Sequence, residues 1–445
     1  MKIPVCKVFL LLCAFFPALL FAQSKAPVLS LVSSVDKTIE QIAANPKIDA
    51  DGALKLLSNW SAYPNVKETG RDYNFYYTDA TYGKVPLHVY IPTTYKNTVK
   101  NACVMMLHGA TGQSKFSDID SLANSEEDVL FDALKAQNYI VIRPIADERK
   151  NFSWVVANST PNVTFKVLNQ ILVSLKKVLN IDDNRVYAFG HSDGADGALG
   201  LGVYIPDAFA GIVAYNSMLE NLFARDFYIR NIQNRPFYVV HSDLDDLRPI
   251  QQARIIIDSL KTIDQNVFYK EYIGYQHFDK HLDKDVPLAC IFMKGIKRTL
   301  FHSSVYWEAQ RSDIYNSCDW LKLITIDTAT KAANWHVPFT TKAYDKRHKT
   351  WLENRVQYGY VKKGAAVKAS YRDNTFTLQT SRVGEVELLI SPIMVDLEKP
   401  VIVIANGKQV FSGKVKADKN YLLNNFKKTI DRHTLWVNAI KVKVD

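Results

Sequence analysis

The strongest constraint on the fold is an alternation that runs from residue 102 to residue 296. Short, nearly continuous apolar runs at 102–107, 139–144, 186–189, 209–215, 237–240 and 267–273 are separated by segments with helical spacing of their apolar residues. Runs that are apolar at every position suit strands covered on both faces, as in a parallel sheet. The segments 127–136, 195–201, 250–260 and 287–296 read as helices, as does the stretch in which Leu168, Ile171, Leu172, Leu175, Val178 and Leu179 recur. Strand and helix in alternation predict βαβ units. The expected fold class is therefore α/β, a mainly parallel sheet with helices on both faces.

The flanks have other patterns. Residues 34–42 and 51–60 carry spaced apolar residues on either side of Asn45-Pro46 and predict two small helices. Residues 73–77 and 86–90 carry β-formers around a Tyr82-Gly83-Lys84 turn and predict a hairpin. After about residue 300 the alternation stops. Short β-like runs follow at 305–309, 321–326, 366–371, 375–379, 385–390, 401–404 and 436–442, and Asn406-Gly407 is a strong hairpin turn. These predict a C-terminal β-sandwich. The 445 residues are too many for one ordinary domain. The expected division is a signal peptide (1–22), an N-terminal helical extension (23–68), an α/β domain (69–299) and a β-sandwich domain (300–445).

The signal peptide rests on Lys2 and Lys7, the apolar run 8–20 and the small Ala22 at Phe21-Ala22-Gln23. That run is shorter than the ~20 residues of a spanning helix, and no later segment is long and apolar enough to span. The expectation is export to a periplasm or the exterior, with no stable membrane span. A lipid anchor on Cys13 is the weaker alternative, because Leu10-Leu11-Leu12 lacks the small residues of such a site. Beyond this segment lie Cys103, Cys290 and Cys318, and three cysteines exclude a disulfide scaffold. An oxidising compartment allows one bridge, Cys290 to Cys318. Cys103 lies in a strongly apolar run and reads as buried.

The net charge of +10 is unevenly spread: residues 301–445 hold 23 Lys+Arg against 14 Asp+Glu. Such asymmetry fits two domains with different surfaces. A basic surface suits an anionic polymer or polysaccharide, and equally a basic surface with no specific partner. No nucleic-acid motif occurs.

The chemistry centres on Gly190-His191-Ser192-Asp193-Gly194. This Gly-x-Ser-x-Gly run follows the strand 186–189 and precedes a helix rich in small residues. It fits the sharp turn that lifts a nucleophilic serine out of the backbone. A serine hydroxyl needs a base, and the base an orienting acid. For a nucleophile on such a turn the chain order is serine, acid, histidine. His277, just past the strand 267–273, fits the base better than His281, which lies further from the strand end. The acid loop offers Asp243, Asp245 and Asp246, and Asp245 is far enough past its strand to turn back toward His277. The oxyanion donors expected are the N–H groups of Asp193 and of Ala110, the latter in the loop His108-Gly109-Ala110-Thr111-Gly112. His108 reads as a structural histidine holding that loop. A metal site of His277, His281 and Asp279 lacks further ligands, so no metal and no organic cofactor is expected.

In the runs Leu107-His108-Gly109-Ala110 and 183–194, the loop 241–249 and Gly274-Tyr275-Gln276-His277, in that order, the chain resembles the α/β-hydrolase superfamily over residues 70–298. It is similar to secreted esterases and dienelactone-hydrolase-like proteins. It is also similar to the catalytic domain of prolyl oligopeptidases and to depolymerase-like feruloyl and acetyl esterases. The resemblance implies a Ser192–His277–Asp245 triad acting on carboxylic esters through an acyl-enzyme, with a small-molecule or polysaccharide-linked ester as substrate. A peptidase or amidase is the alternative, disfavoured because no β-propeller precedes the sheet. A non-catalytic polysaccharide-binding protein is the alternative from another class. Trp154 and Tyr275 are candidates for the specificity pocket. Trp307, Trp320, Trp335, Trp351 and Trp436 suggest either a polysaccharide-binding face or core packing of the sandwich. The oligomeric state is left open.

Overall fold

A computed structural model describes residues 26–120, 128–155, 162–217, 228–263, 266–358 and 364–444. The expected signal segment, with Cys6 and Cys13, lies outside the described residues. No helix among them is long and apolar enough to cross a membrane.

Two helices open the described chain, α1 (Val35–Ala44) and α2 (Ala50–Ser58). The hairpin β1 (Arg71–Asp79) and β2 (Gly83–Ile91) follows, antiparallel with Tyr77 opposite Val85. Then come β3 (Asn101–Leu107), α3 (Asp128–Ala136), β4 (Ile140–Pro144), α4 (Thr164–Lys176), β5 (Ile181–His191) and α5 (Asp193–Tyr204). The unit closes with β6 (Gly211–Tyr215), β7 (Phe237–Ser242), α6 (Ile250–Lys261), β8 (Val267–Tyr272) and α7 (His281–Gly295). The eight strands form one sheet in the order β1-β2-β4-β3-β5-β6-β7-β8, parallel from β4 to β8.

The middle strand shows why the apolar runs fold this way. Every residue of β3 from Cys103 to Leu107 is buried, and successive side chains point to opposite faces. Cys103, Met105 and Leu107 join a core with Leu168 and Ile171 of α4, Ala195 and Ala198 of α5, and Ile256 and Leu260 of α6. Val104 and Met106 join the opposite core, with Leu130 and Leu134 of α3 and Val286 and Met293 of α7. Each such buried aliphatic side chain contributes about 1.5–3 kcal/mol.

The C-terminal part is β-rich, as its pattern predicts. One sheet runs β18-β17-β15-β14-β9, from β9 (Ser304–Ala309), β14 (Ala365–Arg372), β15 (Thr375–Ser381), β17 (Val401–Ala405) and β18 (Lys408–Gly413). The other runs β10-β11-β16-β19, from β10 (Ser317–Cys318), β11 (Leu321–Ile326), β16 (Val383–Ile390) and β19 (Asn438–Lys443). Trp307, Trp320 and Trp436 are buried in the core that these strands share. Core packing is thus the reading that holds for these three indoles.

Four features differ from the sequence expectation. The hairpin β12 (Phe339–Asp345) and β13 (Thr350–Tyr358) has no continuous apolar run, and it belongs to neither sandwich sheet. The helix α8 (Lys419–Thr429) has few apolar residues, and its Leu422, Leu423 and Phe426 are covered by Val35, Ile39, Ala53 and Leu57 of α1 and α2. Helix α7 begins at His281, and Pro287 lies inside it rather than at its start. Buried Leu282 and Val286, with Asp285 anchored to the sheet, hold the turns around that proline. The Cys290–Cys318 bridge is absent: Cys290 lies under the sheet and Cys318 in the sandwich core, and both are free thiols. Cys103 is buried.

The sheet and the β-rich part are joined by buried ions. Arg432, past α8, reaches the start of β5, where Nη1 donates to Asn180 Oδ1 (2.8 Å) and Nε to Asp183 Oδ2 (3.2 Å). Asp183 also holds Lys176 at 2.6 Å. Arg235 Nη2 meets Asp319 Oδ1 at 2.5 Å, and Arg298 pairs with Asp431. Breaking a buried pair leaves a charge stranded, at a cost of about 3–5 kcal/mol. Because Lys176 stays on Asp183, Arg432→Ala should lower the unfolding free energy in urea by less than that, about 1.5–3 kcal/mol for the lost charged hydrogen bonds. A change under about 1 kcal/mol would place Arg432 among merely exposed pairs.

Candidate active site

Strand β5 ends at His191 and helix α5 starts at Asp193, which leaves Ser192 alone to make the turn. Its backbone adopts φ 57° and ψ −126°, a conformation that non-glycine residues rarely accept. The crossing is tight. A Cβ on Gly190 would lie 2.0 Å from the Gly194 carbonyl oxygen, and one on Gly194 would lie 1.9 Å from that of Leu107. Only glycine fits at either position. The Ser192 N–H donates to the carbonyl of Tyr215 at the end of β6 (2.9 Å), which fixes the turn to the sheet.

His277 lies in the loop after β8, and Asp245 in the loop after β7. Both are buried, and so is Ser192. The three side chains meet: His277 Nδ1 is 2.6 Å from Asp245 Oδ2, and His277 Nε2 is 2.9 Å from Ser192 Oγ. A carboxylate only accepts, so Nδ1 carries the proton and Nε2 is left to accept from the serine hydroxyl. Burial alone would raise the Asp245 carboxyl. The hydrogen bond and charge of His277, with the Arg248 N–H on Oδ1 (2.8 Å), outweigh it and hold the group below the usual carboxylate range. Asp243 accepts instead from the Gly274 N–H (2.7 Å), and Asp246 is exposed.

Ala110 sits in the loop after β3 with φ 45°, and Asp193 is the first residue of α5. The Thr111 N–H donates to Asp193 Oδ2 (3.0 Å), so the two loops that carry these N–H groups are tied together. Among the described residues, neither the Ala110 nor the Asp193 N–H is taken by another backbone carbonyl. His108 Nε2 accepts from the Ala146 N–H (3.0 Å), so its Nδ1–H faces the Gly109 carbonyl (2.7 Å) and the ring splints the loop.

Several residues that sequence reasoning passed over hold this arrangement. Arg248, buried, donates to Asp193 Oδ1 (2.6 Å) and Asp196 Oδ2 (2.7 Å), and clamps the acid loop to the first turn of α5. Asn216, at the end of β6, donates to the His277 carbonyl (2.8 Å) and accepts from the Ser242 N–H (2.9 Å). His191 Nε2 donates to the same His277 carbonyl (3.0 Å). A polar residue just past the carboxyl end of a parallel strand was a usable signal for Asn216.

One pocket candidate changes role. Trp154 is fully buried and donates from Nε1 to the His108 carbonyl (2.9 Å), because its ring fills the space beside Gly197. It lines core, not a specificity pocket. Tyr275 turns its hydroxyl to Lys284 (2.5 Å) and packs against Tyr272 and His281. His281 contacts Ser242 Oγ (2.9 Å) rather than Ser192. A cavity of about 660 Å³ lies between α4 and the β-rich part, lined by Lys176, Asp207, Arg298 and Glu387, and includes none of Ser192, His277 and Asp245.

The strand order, the antiparallel entry hairpin and the serine turn between β5 and α5 decide the architecture. The fold is that of an α/β-hydrolase. No family model matches the chain, and no curated protein matches it. Solved structures resemble part of it at low identity. One is a thermostable esterase, 20% identical, with a TM-score of 0.42 over 51% of this chain. The match spans 63% of that esterase's length. Another is the S-formylglutathione hydrolase of Staphylococcus aureus, 16% identical with a TM-score of 0.40, covering 50% of this chain and 98% of that one. A third is an S-formylglutathione hydrolase from Agrobacterium tumefaciens, 13% identical with a TM-score of 0.41, covering 52% and 97%.

The buried histidines have a consequence for acid stability. Burial, reinforced by the nearby His191 ring, pushes the His281 imidazole down to about 4, and burial also lowers His241. The unfolded chain therefore takes up protons that the folded chain refuses. The melting temperature should fall as pH drops from about 6.5 to about 4 and lose this dependence above that window. His281→Gln should flatten the fall, and an unchanged pH profile in that variant would contradict the account.

Proposed function

We propose that this chain is an exported serine hydrolase that cleaves carboxylic esters. One observation carries the reading: a single imidazole, His277, bridges a serine hydroxyl at 2.9 Å and a buried carboxylate at 2.6 Å. Ser192 Oγ attacks the ester carbonyl while His277 Nε2 takes its proton. Asp245 holds the imidazole in the required tautomer and stabilises the imidazolium. The oxyanion is met by the N–H groups of Ala110 and Asp193, with the N-terminus of α5 behind the second. His277 then protonates the leaving alcohol. A water deprotonated by the same ring attacks the acyl-enzyme, and Ser192 is regenerated. Each step uses only this chain's own groups and water. Export rests on the pattern of residues 1–22.

Turnover of a p-nitrophenyl ester should fall about 10⁶-fold in Ser192→Ala. In Asp245→Asn it should fall about 10⁴-fold, because the wrong tautomer of His277 then faces the serine. Turnover within tenfold of the parent in Ser192→Ala would end the assignment. The same protein assayed on an alanyl or prolyl anilide separates esterase from peptidase: the ester reading requires the anilide to be the poorer substrate.

A further inference from the structure

The β12–β13 hairpin belongs by sequence to the β-rich part but is held by helix α6 and by the loop after β7. The buried Gln252 of α6 donates from Nε2 to the Lys342 carbonyl (3.1 Å) and accepts on Oε1 from the Tyr344 N–H (2.8 Å). At the hairpin end, Lys346 Nζ donates to the Asp246 carbonyl. Asp246 adjoins Asp245, the partner of His277. The hairpin tip is therefore bonded one residue, about 3.8 Å between Cα atoms, from the acid of the triad.

The tip reads Asp345-Lys346-Arg347-His348-Lys349-Thr350, and residues 346–350 are exposed. Its one carboxylate, Asp345, is occupied by His348 (2.8 Å), and Lys342 by Glu353 (2.7 Å). Arg347 and Lys349 have no carboxylate partner among the described residues. Next to them, Trp351 is 39% exposed, and its ring is braced edge-on against Tyr344 with centroids 5.2 Å apart. The indoles of Trp307, Trp320 and Trp436 are buried and Trp335 is partly buried with Lys368 over its ring, so Trp351 is the most exposed of the five C-terminal tryptophans. A braced aromatic face beside unpaired cations suits a ligand that is ring-shaped and negatively charged at once. An acyl ester alone uses neither feature.

We propose that this hairpin is a docking arm for an anionic polysaccharide. Trp351 stacks on a sugar ring, and Arg347 and Lys349 meet its carboxylate or sulfate groups. A chain held there passes its acylated residues along the acid loop toward Ser192. The proposal deepens the ester-hydrolase reading and rests on it for the acyl group.

Binding is tested in the full chain carrying Ser192→Ala, so that no turnover intervenes. Polygalacturonate, dextran sulfate and neutral xylan are titrated at low and at high salt. The expected result is binding of at least one polyanion at low salt, weakened about tenfold or more by high salt or by Arg347→Glu/Lys349→Glu, with little binding of xylan. The tighter polyanion names the anionic group. Trp351→Ala should weaken that binding several-fold while leaving its salt dependence in place. The proposal is overturned if xylan binds as well as the polyanions, or if the double variant binds as the parent does. It is also overturned if single-stranded DNA or vesicles of anionic lipid bind as tightly as both polyanions, which marks a non-selective basic surface. Because binding is read without catalysis, its failure leaves the aryl-ester result standing, and an inactive enzyme leaves this result standing.

Discussion

The rest of the site depends on the strained backbone of Ser192. A non-glycine residue at φ 57° and ψ −126° costs of the order of 1–3 kcal/mol and persists only where its surroundings over-determine it. Here they do. Gly190 and Gly194 let the end of β5, the start of α5 and the end of β3 approach to contact. The Ser192 N–H is fixed to Tyr215, and the next residue, Asn216, holds the backbone of the His277 loop. Asp193, on the other side of the serine, is clamped by Arg248, whose own N–H holds Asp245. The turn, the histidine loop and the acid loop are thus registered against each other through neighbours of Ser192.

This registration explains why so many histidines gather here. His108, His191, His241 and His281 each place a ring nitrogen on a backbone group or hydroxyl of the loops around His277. A neutral imidazole nitrogen can meet a carbonyl, an N–H or a hydroxyl according to its tautomer, which suits buried loop backbone that has lost its water, and His108 uses both of its nitrogens in this way. The cost is sensitivity to acid, because burial holds the His241 and His281 rings neutral in the folded chain.

The inner parallel strands were legible because they are apolar on both faces, whereas β8, at the sheet edge with Lys270 and Glu271, is only partly buried; the serine turn was legible because only glycine fits its flanks. His277 and Asp245 followed from chain order and from distance past a strand end. Arg248 was not legible: its partners Asp193 and Asp196 lie far away in the chain, and a lone arginine in an acidic loop reads as solvated. Helix α8 was hidden because its short apolar face is completed by α1 and α2 from the other end of the chain. The start of β5 was hidden because Asp182 to Arg185 look polar, although Asp183 is buried against Arg432 and Lys176. Trp154 was misread because an aromatic residue near a site suggests a pocket, whereas its indole supports the His108 loop from beneath.

The β-rich part does more than follow the eight-stranded sheet. Buried ion pairs fix it to the start of β5, and its hairpin reaches across to the acid loop. All of these placements matter to chemistry only if Ser192 is the atom that carries the acyl group. The most direct test is peptide mapping by mass spectrometry after brief reaction with a fluorophosphonate. The account predicts one adduct, on the peptide containing Ser192, which disappears in Ser192→Ala and forms slowly in His277→Ala. An unmodified Ser192, or an adduct on another residue that survives in Ser192→Ala, would contradict it.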